Sequence, residues 1–376
     1  MNEEIDIHPT WVSEEPQFQE LVNDLASAAV VGVDTESNSL HAYREQVCLI
    51  QFSNARRDYL LDPLGDLDLA PLNKLFSDQK IVKVFHASEY DIICLRRDFG
   101  FKFHNIFDTM QAARILGREK LSLGDLVEAE FGIHLDKHNQ KANWAVRPMP
   151  PDMQSYACLD THFLLQLYLK MKAELREKGL DELAAEDFER LSHSKVGENH
   201  KALYTQVSSY HELDRRQLAV LNELCLYRDR MARKNNLPVF KVLSNTMLLE
   251  VAMRCPRTEQ DLRKIDALPL RLFERHAAGL MEAVHQGMNA APIDLPGRSK
   301  PDRRFLARLD GLKYWRKKKG EELKVLSDVI LPKDILEELA VKNPQDPATL
   351  QTIMESVPWR RERFCREILK VLKENQ

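Results

Sequence analysis

Residues 29–36 read Ala29-Val30-Val31-Gly32-Val33-Asp34-Thr35-Glu36. A short apolar run rich in β-branched residues has the pattern of a buried strand. Residues i and i+2 of a strand point to the same side, so Asp34 and Glu36 project together from its end. Outward from this stretch, Val47–Phe52, Asp58–Asp62 (stopped by Pro63) and Ile81–Phe85 carry the same strand signal. Helical periodicities cover about 16–27, 70–77, 88–98, 109–116, 122–131 and one long stretch from 151 to 178. Three strands in succession, then strands alternating with helices, predict a mixed α/β sheet.

Beyond about residue 180 the strand signal fades and the chain repeats itself. Leu218, Leu221, Leu224 and Tyr227-Arg228 recur 88 residues later as Leu306, Leu309, Leu312 and Trp315-Arg316. The same offset carries Glu250 to Glu338, Ala252 to Ala340, Pro256 to Pro344, Leu262 to Leu350 and Ile265 to Ile353. An ungapped match at fixed offset predicts two copies of one helical domain. The seams near 192–208 and 287–301 are polar or rich in Pro and Gly. The predicted partition is 1–195, 205–288 and 300–376.

Composition narrows the function classes. The 376 residues are 44% hydrophobic, enough for packed cores and too much for a disordered chain. With 13 Gly and 17 Pro, a collagen-like chain is excluded. No stretch approaches the roughly 18 apolar residues of a membrane span, and the acidic start has no apolar run behind it, so neither membrane nor signal peptide is expected. The six Cys are dispersed without a C-x-x-C, which predicts a reducing cytoplasm and no zinc or disulfide framework. Residues 1–170 hold 16 Lys+Arg against 26 Asp+Glu, whereas 291–376 hold 19 against 14. An acidic front and a basic tail suit a metal-dependent enzyme acting on a polyanion, as they suit many unrelated proteins.

Two further segments carry candidate chemistry. Asp91, in His86-Ala87-Ser88-Glu89-Tyr90-Asp91, falls in the first turn of a helix, with Ser88 as the expected N-cap. Tyr156 and Asp160, in Tyr156-Ala157-Cys158-Leu159-Asp160, are four apart and share a helix face. The surrounding Ala157, Leu159, Phe163, Leu164, Leu165 and Leu167 are apolar, and an unpaired carboxylate among them is costly to bury. A shared cation removes that cost. Four carboxylates without His or Cys companions suit Mg²⁺ or Mn²⁺. A pair of such ions can clamp the attacking and leaving oxygens of a phosphoryl displacement.

The order D-x-E, H-A-x-x-x-D, Y-x-x-x-D resembles the DEDD exonuclease superfamily in its tyrosine-bearing subclass, and within it the bacterial ribonuclease D family. Leu49-Ile50-Gln51, Phe107-Asp108-Thr109, Leu135-Asp136-Lys137 and Trp144…Arg147-Pro148 strengthen the resemblance. The two helical repeats look like paired HRDC domains, where Rrp6-like exosome nucleases are expected to show one. The resemblance implies a ribonuclease H-like (DnaQ-like) α/β exonuclease domain with a mixed sheet, followed by two all-α HRDC-like domains. It implies that Asp34, Glu36, Asp91 and Asp160 hold two divalent ions, Mg²⁺ or Mn²⁺. Tyr156 would orient the attacking water and help to remove its proton. The reaction would be 3′→5′ hydrolysis of RNA to nucleoside 5′-monophosphates, with transfer RNA precursors and other structured small RNAs as partners of a monomer.

Further residues carry two readings each. Leu40 and His41 contact the terminal base or are plain loop. Lys137 and Arg147 contact phosphate or are solvated. Arg316 and Lys317, opening the run to Lys319, track an RNA backbone or form a solvated helix face. His86 and Asp108 are expected to make a structural hydrogen bond and an N-cap, respectively. A 3′→5′ DNA exonuclease and an inactive nucleic-acid-binding scaffold remain open alternatives, since the metal motifs do not separate RNA from DNA.

Overall fold

The computed structural model describes residues 8–136, 138–194, 202–295 and 302–375. Six strands, β1 (Thr10–Val12), β2 (Val30–Ser37), β3 (Val47–Ser53), β4 (Asp58–Leu61), β5 (Val82–Phe85) and β6 (Ile106–Asp108), form the mixed sheet, ordered β1-β4-β3-β2-β5-β6. The β2–β3 and β3–β4 pairs are antiparallel; β1–β4, β2–β5 and β5–β6 are parallel. β1 and β6, of three residues each, escaped the sequence reading because so short a run shows no periodicity.

Eight helices flank the sheet: α1 (Glu15–Ala26), α2 (Leu72–Ser77), α3 (Glu89–Phe99), α4 (Thr109–Ile115), α5 (Leu123–Phe131), α6 (Pro151–His162), α7 (Leu164–Glu177) and α8 (Asp181–Ser192). The alternation of β2 and β3 sorts their side chains between two layers. Val31, Val33, Ile50 and Phe52 pack on one face with Phe18 and Leu21 of α1 and Ile92 of α3. On the other face Leu49 and Leu60 meet Met153 and Ala157 of α6. Burying each such side chain contributes about 1.5–3 kcal/mol.

The stretch 151–178 forms two helices rather than the single one expected. They part at Phe163, where the Gln166 side chain lies over the carbonyls of His162 and Phe163 at 3.0 and 3.2 Å. A side chain that intrudes on the carbonyl ladder is a recognised cause of a helix break. The junction presses on β2: a Cβ at Gly32 would lie 3.1 Å from the Thr161 carbonyl and 3.3 Å from Leu164. A side chain at Gly32 would need its neighbours to shift by a few tenths of an ångström, so glycine eases this close approach of helix to strand.

The helical remainder holds two copies of five helices. The first has α9 (Arg215–Asn235), α10 (Val239–Val242), α11 (Asn245–Arg254), α12 (Glu259–Arg263) and α13 (Leu270–Asn289). The second has α14 (Arg303–Leu323), α15 (Ser327–Ile330), α16 (Lys333–Lys342), α17 (Pro347–Ile353) and α18 (Pro358–Glu374). Every helix of the second copy starts 88 residues after its counterpart. Even the left-handed turn residues correspond, Asn236 with Lys324 and Cys255 with Asn343.

Backbone contacts divide the chain into two units. Residues 8–37, 47–194 and 302–375 form one, and 38–46 with 202–295 form the other. The expected boundaries near 195 and 300 fall close to the ends of these segments; the second helical copy groups with the sheet, and the loop 38–46 with the first copy. Arg360 of α18 donates to Glu186 and Asp187 of α8, and Arg114 of α4 pairs with Asp328 of α15. Trp359 and Val325 pack against the cores of both the second copy and the α/β layer. Among the described residues no helix is long and apolar enough to cross a membrane.

Candidate active site

The end of β2 and the helix α6 build an acidic cluster. β2 presents Asp34 and Glu36 on the face that α6 covers, and α6 presents Tyr156 and Asp160 one turn apart. One carboxylate oxygen each from Asp34, Glu36 and Asp160 lie within 4.8 Å of one another. They share a cavity of about 340 Å³ with Tyr156, His86 and Asp136.

Asp91 stands outside this trio. Thr35, between the two acidic residues, points to the opposite face of β2, where α3 packs, and its hydroxyl donates to the Asp91 carboxylate. Asp91 is buried, 7% exposed. It is nevertheless close enough to raise the pKa of Asp34, Glu36 and Asp160.

Crowded carboxylates resist ionisation. Burial, then the neighbouring Asp91, Asp160 and Glu36, hold Asp34 well above the ordinary range. Glu36 is pushed up to about 9 by burial and then by Asp160 and Asp91. Burial lifts Asp91 to about 7, and burial followed by Asp91 lifts Asp160 to about 7. The Tyr156 phenol is raised by burial and then by Asp160, Glu36 and Asp34, so it stays protonated and offers a donor. Three hard oxygen donors converge where their mutual repulsion is relieved by positive charge, the donor chemistry of a divalent cation.

Around the cluster, the Asp108 carboxylate caps α4 at the Gln111 amide, 2.9 Å, and takes the Ser88 amide at 2.7 Å. Ser88 holds the N-cap position of α3, but its hydroxyl makes no capping bond and finds no partner among the described residues. Thr109 donates to the Phe85 carbonyl, so His86 Nδ1, 2.9 Å from the Thr109 hydroxyl, is the donor of that pair. This is the structural bond expected of His86.

Several expected substrate contacts do other work. All five N–H donors of Arg147 are engaged within the fold: two on Asp62 at 2.6 and 2.7 Å, the others on the carbonyls of Trp144, Val146 and Cys48. Its guanidinium also lies over the Trp11 ring. The phosphate reading of Arg147 is thereby replaced by a strut between β1, β3, β4 and the loop before α6. Arg316 donates to the Leu331 carbonyl at 3.0 Å, as Arg228 donates to Leu243 at 3.1 Å. Lys317 is exposed on α14. Leu40 and His41 stand in the loop 38–46, which is part of the unit of the first helical copy. Lys137 lies outside the described residues. The sequence reading missed Thr35, Ser122 and Gln140, of which the last two line the cavity; nothing in local spacing marks them.

Residues 9–176 match the model of the 3′-5′ exonuclease family, and residues 217–284 and 305–372 each match the HRDC domain. Ribonuclease D of Nitrobacter hamburgensis is 30% identical over 346 residues, covering 90% of this chain and 89% of that protein. The chain belongs to the ribonuclease D family. Protein RRP6-like 1 of Arabidopsis thaliana is 34% identical over 308 residues, 78% of this chain. The chain spans only about half of that relative, 48% of its length. Escherichia coli RNase D, an exoribonuclease involved in structured RNA processing, shares the fold with a TM-score of 0.72 at 23% identity, covering 98% of this chain and 99% of that one. Exonucleases of this family generally use divalent metals, and among the described residues the carboxylate trio is a cluster that fits one.

Proposed function

We propose that this chain is a metal-dependent 3′→5′ exoribonuclease that releases nucleoside 5′-monophosphates. The observation that carries the reading is the convergence of Asp34, Glu36 and Asp160 within 4.8 Å, with Tyr156 in the same cavity, inside a 3′-5′ exonuclease domain. Structured RNAs such as transfer RNA precursors are the proposed substrates, and a cytoplasmic monomer the working form. All six Cys are free thiols, which fits that compartment.

Asp34, Glu36 and Asp160 would hold one Mg²⁺ or Mn²⁺, and Asp34 with Asp91 a second. Bound divalent ions would lower the pKa of a water molecule and offset charge on the scissile phosphate. Loading requires the carboxylates to give up the protons that burial and crowding favour, so it releases protons. Tyr156, kept protonated, donates a hydrogen bond to the attacking water and orients it. Removal of that water's proton by the phenol is not part of this reading.

The test is incubation with 5′-labelled and 3′-labelled RNA and DNA oligomers, with and without Mg²⁺ or Mn²⁺. Metal-dependent release of nucleoside 5′-monophosphates from RNA 3′ ends supports the proposal. Preference for DNA would move the chain to a DNA exonuclease, and binding without turnover would make it a scaffold.

A further inference from the structure

Gln51 is wholly buried in the middle of β3, and neither its amide nitrogen nor its amide oxygen has a partner among the described residues. Buried polar groups in folded proteins are almost always hydrogen-bonded, so such an orphan calls for a reason. Its place in the sheet supplies one. Gln51 lies directly opposite Asp34 in the antiparallel β2–β3 pair. Directly opposed residues send their side chains to the same face, with Cβ atoms about 4.5–5.5 Å apart. On its other side Gln51 faces Leu60 of β4.

The neighbours along β3 fix what lies above. Leu49 packs with Ala157 of α6, and the Ser53 hydroxyl is 2.6 Å from that of Thr161. Gln51, between them on the same face, is therefore enclosed beneath the Ala157–Thr161 stretch that carries Asp160. The next polar row is fully satisfied, since Ser53 also donates to Asp58 at 2.5 Å and Asp58 pairs with His162 at 2.8 Å. Gln51 is left with two donors and an acceptor beside a carboxylate of the cluster.

The geometry points to Gln51 as a positioning residue: through one buried water, its amide fixes the orientation of the Asp34 carboxylate for metal binding. The inference rests on reading the cluster as a metal site. An amide suits the task because it donates to a carboxylate without adding charge to a crowded acidic site. No direct hydrogen bond joins the two side chains, and water commonly links buried polar groups. Partners that hold a ligating carboxylate typically change metal affinity or activity 10–100-fold when removed.

The experiment compares wild type with Gln51→Leu, measuring the metal-free Tm, Mn²⁺ affinity by calorimetry, and turnover on a short RNA across Mn²⁺ concentrations. Gln51→Leu removes the amide and the water it would hold, so the metal-free Tm serves to separate a loss of fold from a loss of metal affinity. Mn²⁺ affinity should fall at least 10-fold, and excess Mn²⁺ should restore turnover. Mn²⁺ affinity within twofold of wild type would overturn the proposal. Should Gln51→Leu fold poorly, Gln51→Met, closer in shape, is measured; lower Tm in both with unchanged Mn²⁺ affinity also overturns it. Failure of wild type itself to bind Mn²⁺ more tightly than Asp34→Asn would instead sink the metal-site reading, and this inference with it.

Discussion

The guanidinium of Arg360, in the last helix of the chain, is wholly buried and donates to the carboxylate of Glu186 in α8. Glu186 also accepts the Trp359 amide at 2.6 Å, while Arg360 reaches Asp187 at 2.9 Å and the Val329 carbonyl at 2.8 Å. Burial lifts the Glu186 pKa although Arg360 pulls it down, so the pair does not fully offset its own desolvation. Arg360→Ala leaves Glu186 buried without its cation, a change that costs about 3–5 kcal/mol. Chemical denaturation should show that loss in the α/β unit as well as the second helical copy. Removing residues 302–376 should destabilise the nuclease domain, so RNA trimming falls on short and long substrates alike. A truncated chain with wild-type stability and normal activity on a short oligomer would contradict this.

The correspondence of Arg228 and Arg316 gives a second expectation. Each fastens the carbonyl that ends a short helix in its own copy, Leu243 or Leu331. A hydrogen bond to a charged group is worth about 1.5–3 kcal/mol, so Arg316→Ala should lose stability on that scale. Its RNA affinity should keep the wild-type salt dependence. A residue that neutralises a phosphate would instead reduce the slope of log K against log salt by about 0.7 on a single strand. Lys317→Ala, at an exposed position, is the matched control. A reduced slope for Arg316→Ala with unchanged stability would restore the RNA-contact reading.

The carboxylate pKa values set a pH dependence. Unfolded, Asp and Glu titrate near 3.8 and 4.5; folded without metal, Asp91 and Asp160 titrate near 7 and Glu36 near 9. The folded state thus binds protons more tightly, and stability falls as pH rises wherever the native state holds more protons. These groups contribute fully below about pH 4, and their contribution is lost progressively up to about pH 9. In chelator, Tm should therefore decline across that window; with saturating Mg²⁺ the decline should flatten, because the ion binds the ionised form. Asp160→Asn should abolish hydrolysis yet raise the metal-free Tm at pH 8 by about 2–4 °C for each kcal/mol of repulsion relieved. A metal-free Tm that is flat or rising from pH 5 to 9 would contradict the coupling.

Much of the site was legible because its signals are local. Asp34 and Glu36 alternate on one strand and Tyr156 and Asp160 span one helical turn, and both spacings fix a shared direction before any tertiary packing. The 88-residue repeat was legible for a similar reason, since helix starts follow the sequence at constant offset. What stayed hidden depends on partners distant in sequence. Arg147 looks like an exposed cation until Asp62, 85 residues away, is placed beside it. Arg360 and Glu186 are 174 residues apart, so no window reveals that the second helical copy belongs with the sheet. The break at Phe163 lacks the Pro or Gly that usually announces one. Asp91 was placed correctly on its helix, but Thr35, whose hydroxyl donates to its carboxylate, lies on the face that the D-x-E pattern ignores.

Tyr156 offers the sharpest test of mechanism. Its ring packs with the cluster of Leu49, Trp144 and Ala157, while its hydroxyl shares the cavity with the three carboxylates. Burial and those carboxylates keep the phenol protonated, so its contribution is that of a donor. Tyr156→Phe preserves the ring and its packing and removes only the hydroxyl. Single-turnover rates at saturating metal should fall roughly 10²–10⁴-fold, the range for a group that positions or shares a proton in the transition state. RNA affinity and Mn²⁺ affinity should stay near wild type, because no ligand is lost. For a phenol that acts only as a donor, the alkaline side of the pH–rate profile should keep its shape in the variant. An alkaline inflection that disappears with the hydroxyl would make Tyr156 a titrating base. A rate within about threefold of wild type, far below the expected range, would leave it a packing residue alone.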